Sequence, residues 1–469
     1  MLLNSLDFAI FLPIVLILYW IIGSKRVKLQ NILLLIASYI FYGWWDWRFL
    51  SLIFISSIVD YTVGNKIHQT EDNKKRKYLL IISLIVNLGF LGFFKYANFF
   101  IDSFNNSFNF LGIPIQGSLL NIILPVGISF YTFQTLSYTI DIYKRQLEPS
   151  ENILNFLTFV SFFPQLVAGP IERASNLLPQ FSKNRDLTYA YFSQGFKYIV
   201  FGFFMKVVVA DRAAIYVNAV YNNVVNHDGI TFVFATLAFC FQIYGDFAGY
   251  SLIAIGTAKF FGFDLMTNFN RPYFSTSVKQ FWTRWHISLS TWFRDYLYIP
   301  LGGNKTTKPR WLSNLFITFL ISGLWHGANW TFVIWGALNG FYLIIESVLF
   351  KKRKTNALNL IITFILINFA WIFFRANSVN DAFTVIKDIF TNSGRLYIGE
   401  GEDVTSLLYT IMAITMLLFV ETFQEYFSNL LQKPILKNRY VKMTAYAILI
   451  FIILYLGVFD ESQFIYFQF

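Results

Sequence analysis

Long apolar runs, parted by short polar clusters, recur along almost the whole chain. A helix that spans a bilayer needs about 20 mostly apolar residues. Runs near 6–22, 30–44, 48–65, 78–100, 121–142, 152–168, 194–218, 231–256, 312–324, 328–349, 357–375, 404–424 and 443–458 are candidates. The clusters between them are mostly basic: KRVK (25–28), EDNKKRK (71–77), YKRQ (143–146), KNR (183–185), KTTKPR (305–310), KKRK (351–354) and KNRYVK (437–442). Excess Lys and Arg marks cytoplasmic loops. The segments near 101–120, 219–230 and 459–469 carry neither residue, and 376–403 has only Lys387 and Arg395, so these are expected outside. No basic residue precedes the first run, which lacks the n-region of a signal peptide and reads as a first spanning helix with its N-terminus outside.

Strict alternation requires two irregularities. Residues 152–168 must dip in and return, and 312–349 must enter and leave between two basic loops. The first run ends in FFPQLVAGP, where Pro164, Gly169 and Pro170 oppose a regular helix. The 312–324 run is only about 20 Å long at 1.5 Å per residue, short of a hydrocarbon core about 30 Å thick. It is expected to end inside the membrane, at Gly323 or Gly327. Non-helical backbone at that depth is tolerated only inside protein or beside a wet cavity. The stretch ISGLWHGANW (321–330) is therefore expected in a protein-lined cavity. Neither a repeat period of 20–50 residues nor a long linker is visible, and residues 1–469 read as one membrane domain.

Composition agrees. Of 469 residues 56% are hydrophobic and 13% charged, against about 25% charged in soluble domains. The chain is expected to be an all-α polytopic membrane protein. Its net charge of +11 sits in loops rather than in a nucleic-acid-binding stripe. Cys240 is the single cysteine, which excludes an intramolecular disulfide and a thiolate metal cluster.

Two of the four histidines stand on apolar ground. His326 lies in ISGLWHGANW. His286 lies in SVKQFWTRWHISLSTWFRDYLYIPLGGN (277–304), where Trp282, His286, Leu289 and Phe293 recur at helical spacing. Lys279, Arg284, Ser288, Thr291 and Asp295 mostly take the opposite side. The pattern predicts an amphipathic helix in the cytoplasmic interface, closed by Pro300 and Gly302–Gly303, with His286 on its apolar face. An interfacial anchor is the plain reading of that helix. His68 and His227 fall in polar loops and are expected to be solvated. Ionisable groups inside a membrane domain point to function, and a histidine, with an unperturbed pKa near 6.5, suits proton transfer. HExxH, GxSxG and P-loop patterns are absent, and no metal site is expected. On the residues alone, an enzyme and a proton-coupled transporter or export channel both stand. A transporter would predict a duplicated or inverted half, and none is visible.

RWHISLSTWFRDYLYIPLGGN followed by SGLWHGANWTFVIWGALNG resembles the membrane-bound O-acyltransferase (MBOAT) superfamily, and within it the bacterial branch of alginate, peptidoglycan and exopolysaccharide O-acetylation proteins. LPVGISFYTFQTLSYTIDIYKRQ (124–146), FFPQLVAGPIERA (162–174) and QIYGDFAGYSLIAIGTAKFFGF (242–263) extend the similarity over essentially the whole chain. The resemblance implies a multi-helix membrane fold with re-entrant segments and a central tunnel or funnel. It implies His326 as the essential catalytic residue and His286 as its partner. The donor would be a cytoplasmic acyl thioester, acetyl-CoA, with no bound cofactor. The acyl group would pass outward, commonly to a separate SGNH-hydrolase-like protein that acylates a cell-surface carbohydrate. D-alanyl transfer to teichoic acid is the alternative within the class. In that setting Trp325 and Trp330 would wall the tunnel. Gly323 and Gly327 would let backbone N–H groups reach the developing oxyanion or serve close helix packing. Arg284, Arg294 and Lys279 would meet coenzyme A phosphates or lipid headgroups. Asp246, inside an apolar run, is expected to pair with an arginine or a hydroxyl.

Overall fold

The computed structural model describes residues 1–113, 117–167, 169–350, 356–399, 405–427, 429–430, 438–459 and 465. The expected basic loop at 351–354, Lys437 and most of the 459–469 tail lie outside them. The described residues form helices and connecting segments, with no strand among them. They divide into two compact units: residues 1–195 with 254–266, and residues 196–253 with 267–469.

The first unit contains α1 (Leu6–Ile22), α2 (Val27–Asp46), α3 (Leu50–Gln69), α4 (Asn73–Leu91), α5 (Ala97–Phe110), α6 (Ile128–Tyr143), α7 (Ile153–Ser161), α8 (Phe163–Leu166) and α9 (Ala174–Leu177). Three of its helices, α1, α4 and α7, start at polar caps that satisfy orphan N–H groups: Ser5 accepts from Phe8 N, Asp72 from Lys74 N and Asn152 from Leu154 N. On α1, Ile10, Ile14, Ile17 and Ile21 share one exposed face. An apolar stripe left uncovered is costly in water and ordinary in lipid. Polar residues point inward instead. Asp60 on α3 is fully buried and accepts from Ser83 (2.5 Å), Asn87 (2.8 Å) and Thr139 (3.1 Å) on α4 and α6. A buried carboxylate is tolerable only with partners of this kind.

The 152–168 run breaks at Phe162 (φ −51°, ψ 104°), so that Pro164 falls in the first turn of α8 rather than inside α7. Neither piece is long enough to span. The 121–142 run becomes helical only from Ile128, after Pro125 and the left-handed Gly127 (φ 73°).

Two helices are divided between the units: α10 (Tyr189–Phe203) and, after α11 (Asp211–Tyr221), α12 (Gly229–Phe260). The second unit continues through α13 (Val278–Arg284), α14 (Ile287–Phe293), α15 (Lys308–His326), α16 (Trp330–Leu349), α17 (Ala357–Arg375), α18 (Val379–Thr391), α19 (Ser406–Tyr426) and α20 (Arg439–Leu456). Among the described residues, seven stretches are long and apolar enough to cross a membrane: Val27–Gln69, Asn73–Phe110, α12, α16, α17, α19 and α20. The chain is a multi-pass membrane protein.

The helix read as 312–324 is α15, which starts at Lys308 with Pro309 in its first turn and has 19 residues. At 1.5 Å per residue it is about 28 Å long, because polar residues from the preceding loop form its first turns. It ends at Gly327, one of the two expected stops, and Gly323 lies within it. The segment near 376–403, expected outside and not among the helical runs, contains α18, which Ser378 caps by accepting from Asp381 N. Among the described residues, Asp246 pairs with neither an arginine nor a hydroxyl. Its partner is Lys206, whose Nζ lies 2.7 Å from Asp246 Oδ1 and 2.8 Å from Asp211 Oδ1. All three side chains are buried, and Ile465 N donates to Asp246 Oδ2 at 2.7 Å.

Candidate functional site

The α15–α16 hairpin mounts His326. Its turn is only Gly327, Ala328 and Asn329, and the Asn329 side chain caps α16 by accepting from Thr331 N at 3.0 Å. The two helices meet backbone to backbone. A Cβ on Gly323 would lie 2.3 Å from the Phe332 carbonyl oxygen and 3.0 Å from Gly336 Cα. One on Gly327 would fall 2.1 Å from the Phe332 ring. Both glycines therefore lie at close approaches where a Cβ would not fit, as close helix packing requires. Gly323→Ala is expected to lower the detergent melting midpoint and the folded yield together, since overpacking of this kind costs about 1–3 kcal/mol. A variant that melts like wild type yet is inactive would return the glycine to the chemistry.

His326 is the last residue of α15 and is 2% exposed. Its ring meets Trp335 and Trp325 edge-on, each at 5.0 Å between centroids, and Phe374 at 5.5 Å. Trp335 in turn stacks on Trp371 at 5.7 Å. Aromatic side chains from α15, α16 and α17 therefore enclose the imidazole and leave it little rotational freedom.

His286 is not on the face of one continuous amphipathic helix. The 277–304 segment breaks into α13 and α14, and His286 sits at the break in the left-handed conformation (φ 42°, ψ 55°), followed beyond α14 by a π turn at Arg294–Tyr298. Left-handed backbone is costly for a residue with a Cβ and persists only where the surroundings impose it. Here they do: Ile287 N donates to Asn268 O at 2.9 Å, and Ser288 N to Asn268 Oδ1 at 3.2 Å. His286 is 1% exposed. Its Nδ1 lies 3.1 Å from Asn268 Oδ1, and Phe247 meets its ring edge-on at 4.5 Å. Burial pushes the imidazole down to about 3, so the ring is neutral.

The fold brings these two histidines together. Their ring centroids are 6.5 Å apart at 60°, and Trp325 touches both rings, at 6.2 Å from His286 and 5.0 Å from His326. The remaining expected residues are placed otherwise. Trp330 is 53% exposed at the first position of α16, and the wall around His326 is built by Trp335 and Phe374 in its stead. Arg284 pairs with Glu425 at 2.9 Å, and Arg271 shares that carboxylate at 2.6 Å. Arg294 pairs with its neighbour Asp295 at 2.7 Å on the surface. Among the described residues, no three His, Cys, Asp or Glu side chains converge as a metal site. His68 is exposed beside Glu148, and His227 packs on Tyr397.

Ser288 enters the sequence pattern only as a polar-face residue, and Asn268, Trp335 and Phe374 not at all. The last two sit in apolar runs whose inward face no spacing rule selects. Asn268 lies in NFNRPYF, a polar stretch that reads as an ordinary loop.

A family model for the membrane-bound O-acyltransferases (MBOAT) matches residues 40–380, which include both histidines. A probable alginate O-acetylase of Pseudomonas aeruginosa is 42% identical over 386 residues, covering 81% of this chain and 73% of that protein. A peptidoglycan O-acetyltransferase of Helicobacter pylori is 38% identical over 418 residues, covering 82% and 78%. A teichoic acid D-alanyltransferase of Streptococcus thermophilus is 33% identical over 252 residues, covering 51% and 60%. With its paired histidine motifs joined in one buried cluster, the chain belongs to the membrane-bound O-acyltransferase family and is an O-acyltransferase.

Proposed function

We propose that this protein takes acetyl groups from a cytoplasmic thioester, acetyl-CoA, and passes them across a bacterial cytoplasmic membrane for O-acetylation of an extracytoplasmic polysaccharide. The observation that carries this reading is the contact of His286, Trp325 and His326 in one buried cluster. The alginate and peptidoglycan O-acetylating relatives, each similar over about four-fifths of the chain, supply the acyl group and the class of acceptor. His326 is the general base. It takes the proton of the accepting hydroxyl as that oxygen attacks the thioester carbonyl. The new C–O bond forms, the C–S bond breaks, and the proton passes from His326 to the departing thiolate. His286 supports it from the same cluster. The enclosing aromatic rings limit water, which would otherwise hydrolyse the thioester. A separate extracytoplasmic SGNH-hydrolase-like protein completes transfer to the sugar, and the N-terminus faces outside, the orientation that the loop charges favour.

D-alanyl transfer is the weaker reading, since the D-alanyltransferase relative is similar over about half of the chain. Inside-out vesicles from cells holding the protein, its envelope partner and its polysaccharide would be given labelled acetyl-CoA. Label is expected on polysaccharide in the vesicle lumen. None arriving there, with the protein intact, would overturn acetyl-CoA as donor.

A further inference from the structure

One side chain from outside α13 and α14 holds His286 in place. Asn268 uses both of its oxygens on the helix break: the main-chain oxygen accepts from Ile287 N, and Oδ1 faces Ser288 N (3.2 Å), Ser288 Oγ (2.9 Å) and His286 Nδ1 (3.1 Å). Its amide nitrogen donates to Ser251 Oγ on α12 at 3.1 Å. A backbone N–H can only donate, so the Asn268 atom facing Ser288 N must be the oxygen, which settles the orientation of the amide. An amide oxygen can only accept, and the Ser288 hydroxyl, 3.4 Å from Nδ1, gives its hydrogen to Asn268 Oδ1 at the shorter 2.9 Å, so the hydrogen of the neutral His286 ring is assigned to Nδ1. The lone pair is left on Nε2, a buried atom that no protein group among the described residues hydrogen-bonds.

We propose that Asn268 is a positioning residue for acyl transfer: it locks His286 in the Nδ1–H tautomer and so keeps Nε2 an acceptor toward the reacting groups. The proposal rests on the reading that the His286–His326 cluster is the transfer site. In the other tautomer the ring would present an N–H where the lone pair is needed, and a neutral buried histidine has no cheap way to correct that. Around the ring stand Phe247 from α12, Asn268 and Phe269 from the following loop, Ser288 from α14, and Trp325 and His326 from α15. His326 is the one titratable side chain of these. The tautomer is therefore set by a hydrogen bond, with no carboxylate in that set.

Asn268 also braces the left-handed turn, and the two roles separate on substitution. The Ile287 N bond goes to its main chain and survives any side-chain change. The test uses the full-length protein in lipid nanodiscs with its histidines labelled with ¹⁵N. There are four, and a His286→Gln spectrum identifies the signals of His286. Wild type is expected to show Nδ1 protonated and Nε2 bare. Asn268→Leu is expected to give a mixture or the Nε2–H form, with kcat for acetyl transfer lowered by about 10²-fold or more and KM little changed. Asn268→Asp keeps an acceptor and should keep the Nδ1–H form. Its added negative charge raises the His286 pKa, so the lone pair is lost at a higher pH on acidification and the acid limb of the pH–rate profile moves up. A brace alone predicts poorer folding in both variants without a change of tautomer or of acid limb. The proposal is overturned by a wild-type Nε2–H signal, or by an unchanged tautomer in Asn268→Leu. Because the spectra need no substrate, they report on Asn268 even where vesicles fail to acetylate; that combination would sink the proposed function and leave the tautomer lock standing.

Discussion

Replacing His326 by alanine is expected to abolish acetylation, lowering acetate released from isolated envelope polysaccharide by about 10³-fold. A positioned general base contributes about 10²–10⁴-fold, and no other imidazole can take its place: His286 is fixed by Asn268, and its centroid is 6.5 Å away. Removing the ring also leaves a void among Trp325, Trp335 and Phe374, which tends to destabilise the hairpin. His326→Gln keeps most of the volume and serves as the control. It should fold like wild type and be as inactive as His326→Ala. His286→Ala is expected to be impaired as well. Undiminished acetate from a well-folded His326→Ala protein would remove this residue from the chemistry.

The second large effect concerns folding. Lys206→Ala is expected to leave almost no monodisperse protein after detergent extraction. Lys206 is 1% exposed and holds two carboxylates, Asp211 and Asp246, that are each 4% exposed. Breaking a buried ion pair by removing one partner costs about 3–5 kcal/mol, because the remaining charge has nothing to compensate it. Here two acids of like charge would be left facing each other. The triple variant Lys206→Met, Asp211→Asn, Asp246→Asn removes all three charges at similar volume and should recover much of the yield. A Lys206→Ala protein with the wild-type melting midpoint would show that the triad contributes little.

The helices were largely legible because the length of an apolar run decides where a chain can cross lipid. The bounds of α1 and α17 coincide with runs 6–22 and 357–375. Where polar residues enter a helix the reading fails: α15 begins at Lys308 within a basic cluster. Both histidines could be picked out as ionisable groups on apolar ground. The break at His286 could not, since Trp282, His286, Leu289 and Phe293 have the spacing of an unbroken helix. What breaks it is Asn268, 18 residues away in sequence, a tertiary effect that no local pattern carries. The Lys206–Asp246 pair was half legible. Asp246 stood out in its run, and a lysine inside FGFFMKVVVADR is a matching signal that spacing alone does not connect to it.

The glycine contact between α15 and α16 bears on how far the site can drift as the protein changes. Where two helices touch through side chains, a substitution at the seam is absorbed by repacking, and anything mounted nearby shifts with it. At Gly323 and Gly336 the seam is main chain against main chain, with no side chain to swap. His326 stands three residues beyond Gly323, a lever of about 4.5 Å along the axis. Its Cα is therefore referenced to the backbone of α16. The apolar exterior of the second unit is free to vary with the lipid it meets, while the imidazole keeps its place.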